Sequence, residues 1–334
     1  MKWLRTKVRL VVLVLVALST ATWIFSSVEL HWLARSTTKT TMYKSQGNCS
    51  YLYSRQNETT RRFHLCKTFV GRLGNHMFQY ASLYGIARSK AMMPMIEADD
   101  VINDIFDIWA FKTKRKPACA GMKRHSETRG SAFDRDTVSF PNDKDIRLEG
   151  YLQSFLYFNR YEHELRCQFQ FSPDVIEKAK QVLHNQVKAL PKAVSTGATL
   201  VAVHVRRGDR LAAHSIALGQ TFASKEYIRK AQDYFKQKYN RVVFVVCSDS
   251  IEWCAENIPG VDTIFIQGQS AVEDLAVMSQ CQHAILTVGT FGWWMAWLVN
   301  GDTVYYGRRF EPNSKLASQW NMSHHYPPNW IPMV

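Results

Sequence analysis

The second half of this 334-residue chain alternates apolar, strand-like runs with helical segments, and this pattern constrains the fold most. Residues 200–205 form a continuous apolar run, which is typical of a strand buried on both faces. Strands that alternate with helices form βαβ units, so the pattern predicts a parallel, Rossmann-like sheet with its ligand at the carboxyl ends of the strands. The further predicted strands are 242–247, 263–266, 284–288 and 303–306, and the predicted helices are 225–239, 250–257, 272–281 and 291–299.

The first half repeats this pattern less clearly, and a break at residues 190–199 (Pro191, Gly197) separates the two halves. We therefore predict two Rossmann-like α/β domains that face a cleft, 63–192 on the acceptor side and 193–334 on the donor side, as in the GT-B architecture. In the first half we predict strands at 65–70 and 93–97, a turn at 71–75, helices at 77–90 and 173–189, and a variable loop region at 110–145.

Residues 10–28 carry no charge, and as a helix they would span about 28 Å, close to the hydrocarbon core of a bilayer. Basic residues precede them, which predicts a cytosolic N-terminus. We therefore expect a single-pass type II protein with a cytosolic tail (1–9), a transmembrane signal anchor (10–28), a lumenal stem (29–62) and a lumenal body. A cleaved signal peptide is the alternative, although the apolar run is longer than a usual signal core.

Three N-glycosylation sequons, at Asn48, Asn57 and Asn321, fit a lumenal body. The seven cysteines fit an oxidising compartment, and their odd number leaves at least one thiol unpaired within the chain. No Cys-x-x-Cys or His-rich cluster predicts a metal site.

The formal net charge of +14 favours an anionic ligand or an anionic surface, although a basic surface without a specific partner would give the same charge. No arginine-rich arm or zinc finger is present, so we do not predict nucleic-acid binding.

A pair of arginines, Arg206 and Arg207, follows the first predicted strand of the second half, with His204 before them and Asp209 after them. Guanidinium groups pair with a diphosphate in a bidentate way, which predicts a diphosphate-binding site here. The alternative is a structural ion pair. Because neighbouring side chains on extended backbone point to opposite sides, we predict that one arginine binds phosphate and the other pairs with a carboxylate such as Asp209.

Two further segments lie at predicted strand ends. Asp249 resembles the carboxylate that binds a nucleotide's ribose or base, or it caps the following helix. Gly289, Thr290 and Phe291 form a small-residue turn before a helix, where exposed amides and the helix dipole favour a phosphate. The turn at 71–76 occupies the matching place in the first half and should face the cleft.

Several of these segments resemble those of the galactoside α1,2-fucosyltransferases, glycosyltransferase family 11. His-Val-Arg-Arg-Gly-Asp at 204–209 is similar to the His-x-Arg-Arg-x-Asp motif shared by α1,2-, α1,6- and protein O-fucosyltransferases. The resemblance extends over residues 65–307. The other segments that carry it are Gly-Arg-Leu-Gly-Asn-His-Met-Phe-Gln-Tyr at 71–80, Gly-Tyr-Leu-Gln-Ser at 150–154 with Tyr157 and Phe158, Ser-Asp at 248–249, Glu-Asp-Leu-Ala at 273–276 with Met278, and Val-Gly-Thr-Phe-Gly-Trp-Trp at 288–294.

The resemblance implies an inverting, metal-independent Golgi enzyme that transfers fucose from GDP-β-L-fucose to the 2-hydroxyl of a terminal galactose on a glycan. It needs no cofactor, and the absence of an Asp-x-Asp motif is consistent with this. Asn75 belongs to the implied catalytic set, and Asp209 and His214 are the two candidates for the base. The implied donor-binding residues are His204, Arg206, Arg207, Asp249, Gly289, Thr290 and Phe291.

The sequence departs from the family pattern at His76, where Gln is common, and at 110–145, which bears on acceptor choice. The alternatives are another GDP-fucose-dependent transferase, with a different linkage or a protein acceptor, and an inactive membrane-tethered glycan-binding protein. The oligomeric state stays open.

Overall fold

The computed structural model describes Cys49 and residues 63–267 and 270–334. The predicted tail (1–9), anchor (10–28) and stem (29–62), including the sequons Asn48 and Asn57, lie outside the described residues apart from Cys49. None of the helices in the described ranges is long and apolar enough to cross a membrane. All described residues except Cys49 belong to one compact unit.

The first sheet contains five strands, and every pairing between them is parallel. The spatial order is β3-β2-β1-β5-β4, so β1 is central and β3 and β4 are the edges. The strands are β1 (His64–Cys66), β2 (Met93–Glu97), β3 (Phe111–Thr113), β4 (Lys123–Ser126) and β5 (Ile146–Glu149).

The second sheet contains six strands, again all parallel, in the order β11-β10-β9-β6-β7-β8. Its central strand β6 is buried along nearly its whole length, which agrees with its uninterrupted apolar sequence. The strands are β6 (Thr199–Val205), β7 (Val242–Ser248), β8 (Thr263–Phe265), β9 (His283–Leu286), β10 (Thr303–Tyr306) and β11 (Ile331–Met333).

Twelve α-helices connect or cover the strands in the described ranges. Helix α4 begins where the sequence predicts, because Ser172 accepts a hydrogen bond from the Val175 amide and Pro173 occupies the first turn. The helices are α1 (Leu73–Ser89), α2 (Ile102–Ile105), α3 (Glu162–Gln168), α4 (Pro173–Lys188), α5 (Lys192–Ser195), α6 (Ala213–Ala217), α7 (Lys225–Lys238), α8 (Ile251–Asn257), α9 (Ala271–Met278), α10 (Thr290–Val299), α11 (Lys315–Ser318) and α12 (Met322–His325).

Helices α1 and α10 pack against each other in the main hydrophobic core, which both sheets share. Trp293 and Trp294 of α10 are fully buried. Phe78 of α1 lies 4.6 Å from Trp293 and 5.2 Å from Trp294, measured between ring centroids. This aromatic packing fixes the two helix N-termini beside each other.

The structure confirms the five predicted strands of the second half, all parallel, and adds the edge strand β11, which is short, only partly buried and was not predicted. In the first half the predicted strand at 65–70 is too long, because β1 ends at Cys66. The predicted turn at 71–75 is wrong for its last three residues, because α1 already begins at Leu73. The predicted loop region at 110–145 contains the edge strands β3 and β4. Both are short, polar and mostly exposed, so they lack the apolar pattern by which a buried strand is recognised. The division into domains 63–192 and 193–334 stays a prediction.

The cysteines divide into bonded and free groups. Cys66 at the end of β1 forms a disulfide with Cys119, and Cys49 and Cys167 are also disulfide-bonded. The free thiols, all buried, are those of Cys247, Cys254 and Cys281. This confirms that at least one thiol is unpaired within the chain.

Candidate active site

Arg206 directly follows β6, so its side chain leaves the carboxyl end of the central strand. Its Nε and Nη2 lie 3.1 and 2.7 Å from the two carboxylate oxygens of Asp209, and its Nη1 lies 2.8 Å from Oδ2 of Asp249. Its backbone N–H donates to the Thr287 hydroxyl at 2.9 Å. The side chain is 16% exposed, and two carboxylates set its orientation.

Arg207 points elsewhere. Its guanidinium carbon lies 3.8 Å from the centroid of the Trp253 ring and 5.3 Å from that of Phe222, and burial lowers its pKa. Its side chain makes no ion pair with a carboxylate in the part of the chain that the structure describes. The two arginines therefore diverge. Arg206 is the one that pairs with Asp209, and it is also the one that lies beside Gly289. The predicted division, in which the arginine that pairs with a carboxylate is not the one that binds phosphate, therefore stays a prediction.

Asp249 connects these residues. Its Oδ1 accepts a hydrogen bond from the Arg207 amide at 2.9 Å, while Oδ2 faces Arg206. The N-cap of α8 is Ser250, so the alternative that Asp249 caps this helix is wrong. A Cβ on Gly208 would lie 2.4 Å from Oδ2 of Asp249, so only glycine lets the carboxylate approach Arg206 here.

The N-terminus of α10 lies beside Arg206. The N-cap residue Gly289 has a φ of +97° and provides no side-chain cap to the first turn, which begins with Thr290 and Phe291. A Cβ on Gly289 would be 3.7 Å from Cγ of Arg206. First-turn amides without a side-chain cap, next to a guanidinium, form an arrangement that favours a phosphate.

Asn75, in the first turn of α1, reaches the same place from the first half. Its Oδ1 accepts hydrogen bonds from the Thr290 hydroxyl at 3.0 Å and from Nε2 of Gln153 at 3.1 Å. The adjacent Gly74 permits this approach, because a Cβ there would lie 2.6 Å from the Phe291 backbone nitrogen. The N-termini of α1 and α10 therefore meet.

Arg72 donates to Asp209 at 2.9 Å, and both side chains are largely exposed. So exposed an ion pair contributes about 1 kcal/mol or less to stability. The ion pair does show, however, that the carboxyl ends of β1 and β6 face each other. The prediction that the segment at 71–76 faces the other half is confirmed.

His204 lies on β6 and is enclosed. Burial lowers its pKa to about 4, and its Nδ1 has no hydrogen-bond partner within the described residues. Its ring lies 5.2 Å from that of Phe291, and a Cβ on Gly292 would be 2.5 Å from Nδ1. His204 is therefore a neutral residue that supports the first turn of α10, and its contact with a donor stays a prediction.

The two candidate bases differ in their surroundings. Asp209 accepts hydrogen bonds from Arg206 and Arg72, so this geometry gives it a part in holding arginines. His214 is exposed on α6, which is linked to the arginine loop by the Ser215 hydroxyl, a donor to the Asp209 carbonyl at 2.7 Å. The assignment of a base to either residue stays a prediction.

Sequence reasoning missed Gln153 and Arg309, although both belong to the site. Gln153 follows β5 within a segment that carries the family resemblance, so its place at a strand end could have indicated it. Arg309 follows β10 by three residues and is 4% exposed. An arginine just after an apolar strand was the signal that identified Arg206, and the same signal is present here.

Glu127 and Lys67 are two further ionisable residues that sequence reasoning missed, and they follow the carboxyl ends of β4 and β1. Burial raises the pKa of Glu127 to about 7. The Leu152 amide, which donates to its Oε2 at 2.9 Å, and the charge of Lys67 both lower this pKa but do not outweigh burial. Burial lowers the pKa of Lys67 to about 8, against the nearby carboxylates of Glu127 and Glu149. Both groups therefore titrate within a few pH units of neutrality.

This shift predicts a pH dependence of stability. Between about pH 4.5 and 7 the folded protein keeps the Glu127 proton that the unfolded chain releases, so this group lowers the free energy of unfolding as pH rises. Glu127→Gln removes that contribution, and the stability of the variant relative to wild type should increase over this window. The pKa of Lys67 is about 8 and falls further without the Glu127 charge, so the comparison is made in the lower part of this window, where Lys67 stays protonated in both proteins. Denaturant titrations at several pH values measure the difference, and a constant difference would contradict the prediction.

Two parallel α/β sheets whose strand ends meet beside Arg206 form a GT-B-like architecture. The sequence model of Glycosyl transferase family 11 matches residues 28–333. The chain belongs to glycosyltransferase family 11.

Two curated relatives are similar over most of their length. Galactoside alpha-(1,2)-fucosyltransferase 2 of Hylobates lar is 31% identical over 269 residues, which are 78% of this chain and 76% of that protein. Galactoside alpha-(1,2)-fucosyltransferase 1 of Saimiri boliviensis boliviensis is 32% identical over 270 residues, covering 78% and 72%. Among solved structures, a mutant of Arabidopsis thaliana FUT1 in complex with GDP has a TM-score of 0.50 at 12% identity over 78% of this chain and 74% of that one, a likeness of fold.

Proposed function

We propose that this protein is a galactoside α1,2-L-fucosyltransferase, which transfers fucose with inversion from GDP-β-L-fucose to the 2-hydroxyl of a terminal galactose on a glycan. The observation that carries the proposal is the guanidinium of Arg206, held beside the first turn of α10 where the two sheets meet. Membership of family 11 and two relatives named for this activity support the choice of donor and linkage.

In this reaction the galactose O2 attacks C1 of fucose from the side opposite GDP. The bond from C1 to the phosphate oxygen breaks, its electron pair goes to the β-phosphate, and the new C1–O2 bond has the inverted configuration. The hydroxyl proton passes to a base, for which Asp209 and His214 are the candidates. Arg206 and the first-turn amides of α10 neutralise the developing diphosphate charge, and the Asn75 amide donates to the leaving oxygen.

The test uses GDP-fucose with an alkyl β-galactoside and its 2-deoxy analogue. The proposal predicts fucosylation of the first and none of the second, because only the first offers O2. Transfer to both would indicate another linkage, and transfer to a polypeptide alone would indicate a protein acceptor. Glycan binding without transfer would indicate an inactive binding protein.

We expect transfer to continue in EDTA, because Arg206 and the helix amides supply the positive charge that a divalent cation would otherwise provide. Initial rates with and without chelator should agree within about twofold, which is much less than the loss of rate when one transition-state contact is removed. Loss of activity that Mn²⁺ restores would contradict this assignment.

We also propose that the protein is a single-pass type II protein of the Golgi membrane with its catalytic body in the lumen. The apolar run at 10–28 and its basic flank support this. Asn321 of the third sequon is exposed at the N-cap of α12. Protease protection in sealed microsomes, with the glycosidase sensitivity of wild type and of a variant lacking all three sequon asparagines, tests the topology. An unglycosylated, protease-sensitive body would rule it out.

A further inference from the structure

A buried chain of hydrogen bonds runs from the second sheet to Asn75. Arg309, after β10, donates from Nη2 to Oε1 of Gln153 at 3.2 Å. Gln153, after β5, donates from Nε2 to Oδ1 of Asn75 at 3.1 Å. Arg309 also contacts Nε2 of His325 through Nη1, and Nδ1 of His325 lies 2.8 Å from the Gln153 carbonyl. Arg309 and His325 are almost completely buried, and Gln153 is 8% exposed.

The direction of this chain follows from the chemistry of its charged end. A guanidinium donates hydrogen bonds and cannot accept them, so the Gln153 atom that faces Arg309 must be its oxygen. The other end of the same amide, Nε2, is then a donor directed at Asn75. The Asn75 atom that receives it must be Oδ1, and the Thr290 hydroxyl donates to the same oxygen at 3.0 Å.

His325 contacts the same guanidinium through Nη1. Its Nε2 faces an Arg309 donor and must therefore be unprotonated, so the ring proton lies on Nδ1 and is donated to the Gln153 carbonyl. Burial and the nearby Arg309 charge hold the pKa of His325 well below its usual range, so the ring is neutral. In the described part of the chain Arg309 has no carboxylate partner, so no acidic side chain competes with Gln153 for its protons.

The side-chain nitrogen of Asn75, Nδ2, remains available to a ligand. Oδ1 is occupied by two donors, which leaves Nδ2 as the group that can contact a ligand. Nδ2 lies beside Gly71, where a Cβ would be 2.3 Å away, and it has no hydrogen-bond partner within the described residues. The site thus presents an amide donor beside the first turn of α10.

We infer that Gln153 and Arg309 are positioning residues that hold the Asn75 amide with its nitrogen toward the donor diphosphate. A reversed amide would present Oδ1 to phosphate oxygens and repel them. This inference rests on the proposed function, in which the Asn75 amide donates to the leaving oxygen, and it extends the catalytic apparatus to two buried residues on separate sheets.

Two substitutions of Gln153 separate positioning from packing. Gln153→Glu keeps the acceptor for Arg309 and forms an ion pair with it, but it turns an acceptor toward Asn75 and forces the amide to reverse. Gln153→Met removes both hydrogen bonds, leaves Nη2 of Arg309 without its acceptor and leaves the Asn75 amide held by the Thr290 hydroxyl alone. The inference predicts that Gln153→Glu melts at the higher temperature of the two and has the lower kcat, on the order of a hundredfold below wild type, with Gln153→Met about tenfold below.

If Gln153→Glu is the more stable variant but also the more active one, Gln153 only supports packing, and the inference is overturned. For both variants kcat and kcat/KM should fall together, as for a contact made in the transition state. Wild-type transfer to the β-galactoside is measured first, so failure of the proposed function would appear there and not in the order of the variants.

A second measurement avoids dependence on the folding of Gln153→Glu. In Asn75→Asp the side chain has no N–H to position, and its carboxylate still accepts from Gln153 and Thr290. Adding Gln153→Met to Asn75→Asp should change kcat by no more than about twofold, against about tenfold in the wild-type background, because coupled residues are non-additive. An equal loss in both backgrounds would overturn the inference.

Discussion

Replacing Arg206 with lysine is expected to lower turnover by more than a hundredfold, about 3 kcal/mol of transition-state stabilisation. Lysine keeps the positive charge but has one nitrogen in place of the three that contact Asp209 and Asp249, so it can neither keep this orientation nor offer a planar fork to two phosphate oxygens. The charge on the diphosphate grows as the bond to fucose breaks, so the deficit should fall on kcat rather than on the affinity for GDP-fucose. Steady-state kinetics with the β-galactoside acceptor measure both quantities.

The adjacent Arg207→Lys is the matched control, with the same chemical change one residue away. Arg207 lies on Trp253, and lysine interacts more weakly with the indole face, so this variant should lose stability of up to about 1 kcal/mol. Its turnover should stay within a few-fold of wild type. If Arg207→Lys loses turnover and Arg206→Lys does not, the two roles are exchanged, and if neither does, the turn at 289–292 carries the diphosphate.

Gly74→Ala is expected to destabilise the protein and reduce activity together. The new Cβ would lie 2.6 Å from the Phe291 backbone nitrogen and 2.7 Å from the Thr290 carbonyl carbon. These are backbone atoms that cannot rotate away, so α1 and α10 must separate. The separation should also lengthen the hydrogen bond from Thr290 to Asn75 and weaken the anion site.

The sign of the stability change follows from two opposed contributions. Alanine in a helix is favoured over glycine by about 1 kcal/mol, whereas forced overpacking costs about 1–3 kcal/mol and more against rigid backbone. We expect a net loss of about 2 kcal/mol, which corresponds to a fall in Tm of roughly 5 °C for a domain of this size.

Gly130→Ala serves as the control for Gly74→Ala, because a Cβ at Gly130 meets no atom within 4 Å. Its Tm and activity should match wild type. Thermal unfolding gives the Tm of both variants, and transfer assays give their activity. A Gly74→Ala protein as stable and active as Gly130→Ala would show that α1 and α10 do not need this close approach.

The sequence predicted strands β6 to β10 of the second sheet because their apolar runs are largely unbroken. The edge strand β11 was missed, since it has three residues, one of them Pro332, and is only partly buried. The first sheet was harder, since its edge strands β3 and β4 are short and polar and are stabilised by pairing with neighbours rather than by an apolar pattern. The predicted start of helix α1, at residue 77, was too late, because Gly74 and Asn75 usually indicate a turn.

The site divides in the same way. The positions of Arg206, Asp249 and Gly289 at one edge of the second sheet could be predicted, because each follows a predicted strand by one or two residues. The Gln153–Arg309 contact joins residues 156 positions apart, and the direction of an amide depends on partners that only the folded chain brings together. The sequence could therefore indicate that Asn75 matters, but not what holds it.

A crystal structure of the protein with bound GDP would test the assignment of Arg206 and Asn75 to the diphosphate. The β-phosphate should lie at the first turn of α10, with its oxygens within about 3 Å of the Arg206 guanidinium and of the Asn75 side-chain amide, the usual length of a charge-assisted hydrogen bond. A diphosphate bound to Arg207 and Trp253, or to the first sheet, with Arg206 still held only by Asp209 and Asp249, would contradict it.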